Sequence, residues 1–453
     1  MSAGKVLRTD IHSADAIVVG GGLAGLLAAA RLARAGLSVR VFEQAGHLGG
    51  RAVTNELHGV RFNLGPHALY ATGPARRSLE ELQVPIAGHF PSPGRPLVTL
   101  RGTSYRLPAG LGSLATSRLL SFGEKLRLAR LFATIKSIDT RRLDSTSARE
   151  WIERVAGRGN LALLLAALFR VSTYVDDAEH LSAGMALDQL RTALVGNVLY
   201  LDGGWQTIVD GLRNVATGHG ALIETQKHVQ SVSSGGSSVT VRLASGDALH
   251  ARGVILAVEP AAACRLLGAS VDHEFAQWAN RQVAVPAACL DVALRDLPRP
   301  GDRFALGLDQ PLYYSVHSAA ARLGPVGVHV LHVMKYARAD REDPAAGVQA
   351  ELEAMLDQLQ PGWRAHLVAR RFLPRMTVTH ALPLAAAGGG SGRATVDAAR
   401  LPNVFLAGDW VGPEAMLADA SAASAALAAQ RVQSVVRGAE ARNDQEHVLY
   451  ARG

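Results

Sequence analysis

Near the amino terminus, apolar and polar positions alternate in three short blocks. Residues 16–19, Ala-Ile-Val-Val, form an unbroken apolar run that ends in glycines. A run this short, closed by glycine, predicts a buried parallel strand. Residues 26–35 are rich in Ala and Leu and stop at Gly36, which predicts a helix with glycine just past its end. Residues 38–43 read as a second strand. Together these blocks span about thirty residues, the size of a strand–helix–strand dinucleotide-binding unit.

From 78 to 196 the texture is helix-like, with sparse strands. Punctuation typical of α/β chains returns near Leu199. Gly203-Gly204-Trp205 opens a predicted helix to 216, followed by a strand at 221–224. The runs 229–233 and 239–243 flank a Ser/Gly turn and read as a hairpin. An apolar strand is expected over 253–258, further strands over 287–294 and 327–336, and a helix over 345–359. A last strand, 404–407, enters Gly408-Asp409, and a helix of small residues follows over 416–436. The polar residues 438–453 predict a disordered tail. Dinucleotide-like texture thus occurs in three blocks, which predicts one discontinuous domain from 13–75, 200–270 and 395–437. The segments 76–199 and 271–394 would form a second domain inserted in two pieces.

Composition narrows the function. The 453 residues are 48% hydrophobic and 19% charged, enough for two joined globular domains. The net charge is +8, but the basic residues, nearly all arginine, are scattered instead of gathered into a run with interleaved aromatics. That distribution argues against nucleic acid as a partner. The two cysteines, Cys264 and Cys289, have neither metal-ligand nor disulfide-scaffold spacing. The first fifteen residues contain no apolar signal-peptide core, and the longest apolar run, 161–169, falls far short of the ~20 residues of a spanning helix. A cytoplasmic protein is expected.

The chemistry resides in glycines. Gly20-Gly21-Gly22-Leu23-Ala24-Gly25 fits G-x-G-x-x-G. Gly20 permits the tight turn after the strand, Gly22 lets the backbone approach a pyrophosphate, and Gly25 lets the helix pack closely on the strand. The helix start at Leu23 and Ala24 offers free N–H groups to phosphate. Glu43, followed by Gln44, ends the second strand and can accept from a ribose hydroxyl; its charge would repel the extra phosphate of NADP. Gly49-Gly50-Arg51 then places a planar cation beside the phosphates.

An acid, a short spacer and Gly-Gly-Arg make the sequence resemble the flavoproteins that include amine oxidases, protoporphyrinogen oxidases and phytoene desaturases. Asn403-Val-Phe-Leu-Ala-Gly408-Asp409 resembles that group's carboxyl-terminal signature. The resemblance implies a Rossmann-like FAD-binding domain of the glutathione-reductase type with an inserted α+β substrate domain. It further implies that Val229 meets the adenine, that Gly408 and Asp409 touch the cofactor, and that Pro66 and His67 lie near the flavin ring. The helix from Met416 would aim its positive end at that ring. No cysteine neighbours Gly408, so the FAD is expected to be non-covalent.

For the substrate cavity, the candidates are His67, Tyr314 with its neighbours Tyr313 and His317, and Met416; Trp205 reads as a core aromatic at a helix start. Amine oxidases hold a lysine near the flavin, yet the strand matched to theirs, 287–294, has none, and Lys335 reads as a solvated strand end. Met416 stands where many of them place an aromatic. These departures lean toward a desaturase-like dehydrogenase acting on a small apolar, isoprenoid or polyene-like substrate, with flavin N5 as hydride acceptor. An O2-using amine or porphyrinogen oxidase and a redox-silent flavin isomerase are the alternatives. The sequence names no electron acceptor. Segment 119–136 mixes Lys125, Arg127, Arg130 and Lys136 with apolar residues, so it fits either a buried helix or a helix lying on a membrane surface.

Overall fold

The computed structural model describes residues 13–92 and 94–450, with side chains to 439. Its first sheet is organised around β1, Ser13–Val19, whose Ala16, Ile17 and Val18 are wholly buried. β1 pairs in parallel with β2, Val39–Phe42, on one side and with the strand Ala248–Leu256 on the other. Leu222–Glu224 extends the sheet beyond β2. The strand Ala248–Leu256 divides its far edge between two partners. Residues 248–251 take the antiparallel hairpin of Val239–Leu243 and Val229–Ser234, whereas 254–256 take Val404–Leu406 in parallel. Val404–Leu406, the last strand among the described residues, therefore lies one strand away from β1.

Helix α1, Leu23–Arg34, crosses from β1 to β2. It packs against the closing helix, Leu417–Tyr450, whose Ala422, Ala425, Ala428 and Ala429 are buried. Small side chains let these two helices and the sheet approach closely. The closing helix continues past the 436 limit expected from sequence, so the segment read as a disordered tail begins as helix; residues 451–453 lie outside the described residues.

A second sheet of seven strands has the order Leu367–Thr379, Val285–Leu294, His329–Tyr336, Leu312–Val316, Phe304–Gly307, Leu97–Leu100 and Thr103–Arg106. Strand alternation sorts its side chains between two cores. Ala287, Cys289, Tyr313, Met334 and Tyr336 face a layer of helices that includes Asn160–Thr173 and Ala183–Gly196. Leu290, Val292, Tyr314, Leu331 and Val333 face the helix Ala345–Leu359. Sequence patterning missed Leu367–Thr379, because an edge strand carrying three arginines and Pro374 breaks the apolar signal. Its pairing with Val285–Leu294 also shifts register three times.

Candidate functional site

The glycine turn between β1 and α1 is shaped by close approaches. Gly20 has φ +105°, and a Cβ there would lie 2.5 Å from the Ala257 carbonyl oxygen. A Cβ on Gly25 would lie 1.9 Å from the Gly20 carbonyl oxygen, so no side chain fits between helix and turn. At Gly22 a Cβ would meet nothing within 4 Å; it would point into the open cavity above the turn. The Gly49-Gly50 turn sits directly on this one. Gly49 N–H donates to the Gly21 carbonyl at 2.8 Å, and a Cβ on Gly50 would meet the Gly22 Cα at 3.4 Å. Two glycine-rich turns thus stack backbone on backbone, leaving N–H groups and the α1 N-terminus facing the cavity.

Glu43 braces this cradle. Its carboxylate accepts from the Gly21 N–H and the Ala45 N–H, each at 2.7 Å. A carboxylate has about four lone-pair sites, so acceptor capacity toward a ribose remains.

Arg51 reaches across to the carboxyl-terminal strand end, where Nη1 donates to Asp409 Oδ2 at 2.8 Å and to the Val378 carbonyl. Asp409, nearly fully buried, also accepts from the His380 backbone N–H at 3.1 Å and pairs with His380 Nδ1 at 3.3 Å. Burial alone would raise its pKa, but Arg51 and His380 outweigh it and hold the carboxyl well below the usual range. Ser424, on the closing helix, accepts from the Gly408 N–H at 3.0 Å and donates to the Gly408 carbonyl at 2.9 Å, fixing the strand end to that helix.

One cavity of about 1170 Å³ joins these parts. Single small-ligand pockets run to ~300–1,000 Å³, so this one can house a dinucleotide and a second molecule together. Its lining brings together Gly20, Gly22, Leu23, Ala24, Glu43, Gln44, Gly50, Arg51, Pro66, His67, Val229, Gly408 and Asp409. Gly25 does not line it and acts through packing alone.

Residues 23–433 match the family described as flavin containing amine oxidoreductase. The chain belongs to that family. This flavoprotein is 30% identical over 264 residues to the "Putative flavin-containing monoamine oxidase AofH" of Mycobacterium tuberculosis, covering 54% of this chain and 57% of that one. The chain thus spans little more than half of that relative's length. A 4,4'-diaponeurosporene oxygenase of Staphylococcus aureus is 49% identical over 53 residues, 12% of this chain and 11% of that protein. An oxidoreductase structure from Methanosarcina mazei superposes with a TM-score of 0.75 at 18% identity, covering 91% of this chain and 99% of that chain; at that identity it shows the fold alone. The family's members are FAD-dependent oxidoreductases, and the cofactor is FAD. The residues present suit it. Stacked glycine turns and the α1 N-terminus face phosphate, Arg51 supplies a cation, Glu43 an acceptor, and one continuous cavity runs from Val229 to the start of the closing helix at Leu417 and Ala418.

Three residues expected in the cavity, Tyr314, Met416 and His317, lie outside its lining. Tyr314 is expected beside Tyr313 as a substrate wall, but neighbours on a strand face opposite sides of the sheet. Tyr313 lines the flavoprotein's cavity, whereas Tyr314 is buried toward Ala345–Leu359 and donates to the Asp302 carbonyl at 3.1 Å. Tyr314→Phe is expected to lower stability by about 0.5–1.5 kcal/mol with an unchanged flavin spectrum, measurable by urea denaturation beside visible absorbance. Met416 is likewise buried in the core of the helical layer. Positive φ angles at Ala415 and Leu417 turn the chain there, and Leu417, Ala418 and Asp419 take the cavity wall instead. His317 sits one ring behind the cavity, stacked 3.8 Å from Tyr200. Trp205 is buried as expected, yet it also lines the cavity and meets His67 edge to face at 5.0 Å.

Lys335 lies outside the cavity lining, and the solvated strand end expected for it is corrected: it is 5% exposed and bound to Asp343 and Glu351. His380, Asp419 and Met376 were missed; His380 follows the unread edge strand that contains Met376. The acid in the first turn of the closing helix could have signalled Asp419.

Behind the wall lies a closed ion-pair network. Asp291 accepts from His332 Nδ1 at 2.6 Å and Cys289 Sγ at 3.1 Å on one oxygen, and from Arg371 on the other. Although the Cys289, Asp291 and His332 donor atoms lie within 4.8 Å of one another, the guanidinium already compensates the carboxylate and disfavours a cation.

Proposed function

We propose that the protein is a dehydrogenase or desaturase that removes hydride from an apolar substrate held against FAD. The observation that carries this reading is the cavity beyond the cradle. Leu107, Leu168, Val171, Leu190, Phe304 and Met376 line it, and among its described lining residues on that side there is no lysine. Bound FAD supplies a two-electron acceptor for the hydride. The glycine turns and Arg51 hold the cofactor, while the apolar wall excludes water and orients the substrate by contact. Catalysis then rests chiefly on placing a C–H bond within about 3–3.5 Å of its acceptor. Amine oxidation is the second reading, favoured by the similarity to AofH. Anaerobic stopped-flow mixing separates them. A detergent-solubilised isoprenoid polyene is expected to bleach the oxidised flavin, and benzylamine is not; the reverse result would favour amine oxidation.

An apolar substrate requires a route from lipid, and segment 119–136 combines both of its expected characters. Leu128 and Leu131 of the helix Phe122–Thr134 pack into the core, whereas Phe122 and Leu126 are 83% and 65% exposed. Leu111, 84% exposed, lies two residues beyond Ala109, which lines the cavity. No helix among the described residues is long and apolar enough to cross a membrane. These features support a cytoplasmic protein that rests the cavity rim on a membrane surface, with exposed Arg127 and Arg130 near the anionic headgroups. Phe122→Ser with Leu126→Ser is expected to reduce co-flotation with phosphatidylglycerol-containing vesicles at least fivefold while leaving flavin content unchanged. Each buried aromatic or leucine side chain contributes ~1.5–3 kcal/mol when withdrawn from water.

A further inference from the structure

We propose that His67 is the proton acceptor of the reaction, presenting an unprotonated Nε2 to the substrate while its Nδ1–H is anchored on the Gly65 carbonyl. This rests on the dehydrogenase reading and deepens it by assigning the second half of the chemistry. Making a C=C bond removes a proton as well as a hydride. One C–H bond breaks and its electron pair passes to the flavin as hydride. In the same event the adjacent C–H bond breaks, its pair becomes the new π bond, and the proton goes to Nε2, so flavin reduction depends on the base. The substrate loses two electrons, the flavin gains them, and His67 ends as imidazolium.

Geometry selects this side chain. The Nδ1 atom lies 3.1 Å from the Gly65 carbonyl oxygen, which can only accept, so Nδ1 carries the hydrogen. Nε2 is not among the buried orphan atoms and the ring lines the cavity, with the Arg51 backbone carbonyl as the second acceptor beside it. The edge of the Trp205 ring holds the imidazole in place. Other bases on this side are spent. His380 is held by Asp409, and Asp419, whose pKa burial raises to about 6, accepts from the Ala75 N–H at 2.9 Å on one oxygen while its unpartnered Oδ2 is closed off from the open cavity. Burial keeps the Tyr200 and Tyr313 hydroxyls protonated.

Electrostatics suits the task. Burial lowers the His67 pKa to about 4, and the facing His332 and Arg51 push the same way, against the raising effect of the Gly65 and Arg51 backbone carbonyls; His317 stands nearby. The ring is therefore neutral at physiological pH and adds no charge to oppose cation development on the substrate. A carbon losing hydride makes its neighbouring C–H strongly acidic, so a weak base suffices.

Two measurements on the FAD-loaded full chain test this. In 15N-histidine NMR, the His67 signal, identified by its loss in His67→Gln, should report an unprotonated Nε2 from pH 8 down to about pH 5. An Nε2–H tautomer, or an imidazolium at pH 7, overturns the proposal. In anaerobic stopped flow, whichever probe (polyene or benzylamine) reduces the wild-type flavin should do so ~10²–10⁴-fold more slowly in His67→Gln and His67→Phe, with FAD affinity within about threefold. An unchanged rate in a variant that holds FAD also overturns it. Failure of both probes with wild type counts against the proposed function alone, and the nitrogen signal then decides His67.

Discussion

Gly25→Ala is expected to purify colourless. The added Cβ would lie 1.9 Å from the Gly20 carbonyl oxygen, and neither partner is a flexible side-chain end. Relief requires α1 to lift from the turn, which drags Gly20 and Gly22 out of the shape that receives phosphate. Overpacking of side chains costs ~1–3 kcal/mol, and a backbone collision lies at or above the top of that range. A loss of ~3 kcal/mol in cofactor binding is more than a hundredfold in affinity. Gly22→Ala supplies the contrast. Its Cβ meets no protein atom, so the chain should fold with wild-type stability and bind FAD only about ten- to a hundredfold more weakly. Fluorescence quenching of added FAD, beside circular dichroism, reads both outcomes. A yellow Gly25→Ala protein with wild-type affinity would show that the close helix–turn contact does not govern binding.

The second large effect is expected at Asp291. This carboxylate and His332 are both fully buried, with Arg371 on the opposite oxygen. Asp291→Ala leaves the guanidinium and imidazole without their acceptor, and breaking a buried pair from one side costs ~3–5 kcal/mol. The urea midpoint at pH 7 should fall accordingly. Burial raises the Asp291 pKa, but His332 and Arg371 outweigh it, so the folded value lies below the ordinary one. A depressed carboxyl contributes stability above the unfolded-state pKa of ~3.9 and loses it as pH falls through the folded value. Wild type and variant should therefore differ most at neutral pH and converge below about pH 4. A gap that persists undiminished at pH 3 would point to lost packing instead of lost charge.

Legibility in the sequence followed the range of the interactions. The cradle was readable because a strand, a glycine turn and a helix are contiguous, and each glycine answers a local steric demand. Asp409 was readable as a signature but its partners were not, because Arg51 and His380 reach it from 358 and 29 residues away. The Asp291 network was invisible for the same reason: Asp291, His332 and Arg371 come from three strands whose register no local pattern specifies. Tyr313 and Tyr314 are neighbours in sequence but not in space, and only the strand at 312–316 reveals that they face opposite sides of the sheet. Met416 is turned inward by left-handed backbone at the non-glycine residues on either side of it, Ala415 and Leu417, which nothing in the composition announces.

The position of Val404–Leu406, beside Ala248–Leu256 and ending in the acid that Arg51 grips, bears on how the protein matures. A ribosome that has released only the first four hundred residues has already made the glycine turns, yet the wall that closes over them is still unsynthesised. Flavin capture should accordingly wait for residues 404–409, and nascent chains stalled before position 404 should carry none. Cells short of riboflavin would then accumulate full-length apoprotein and not truncated fragments.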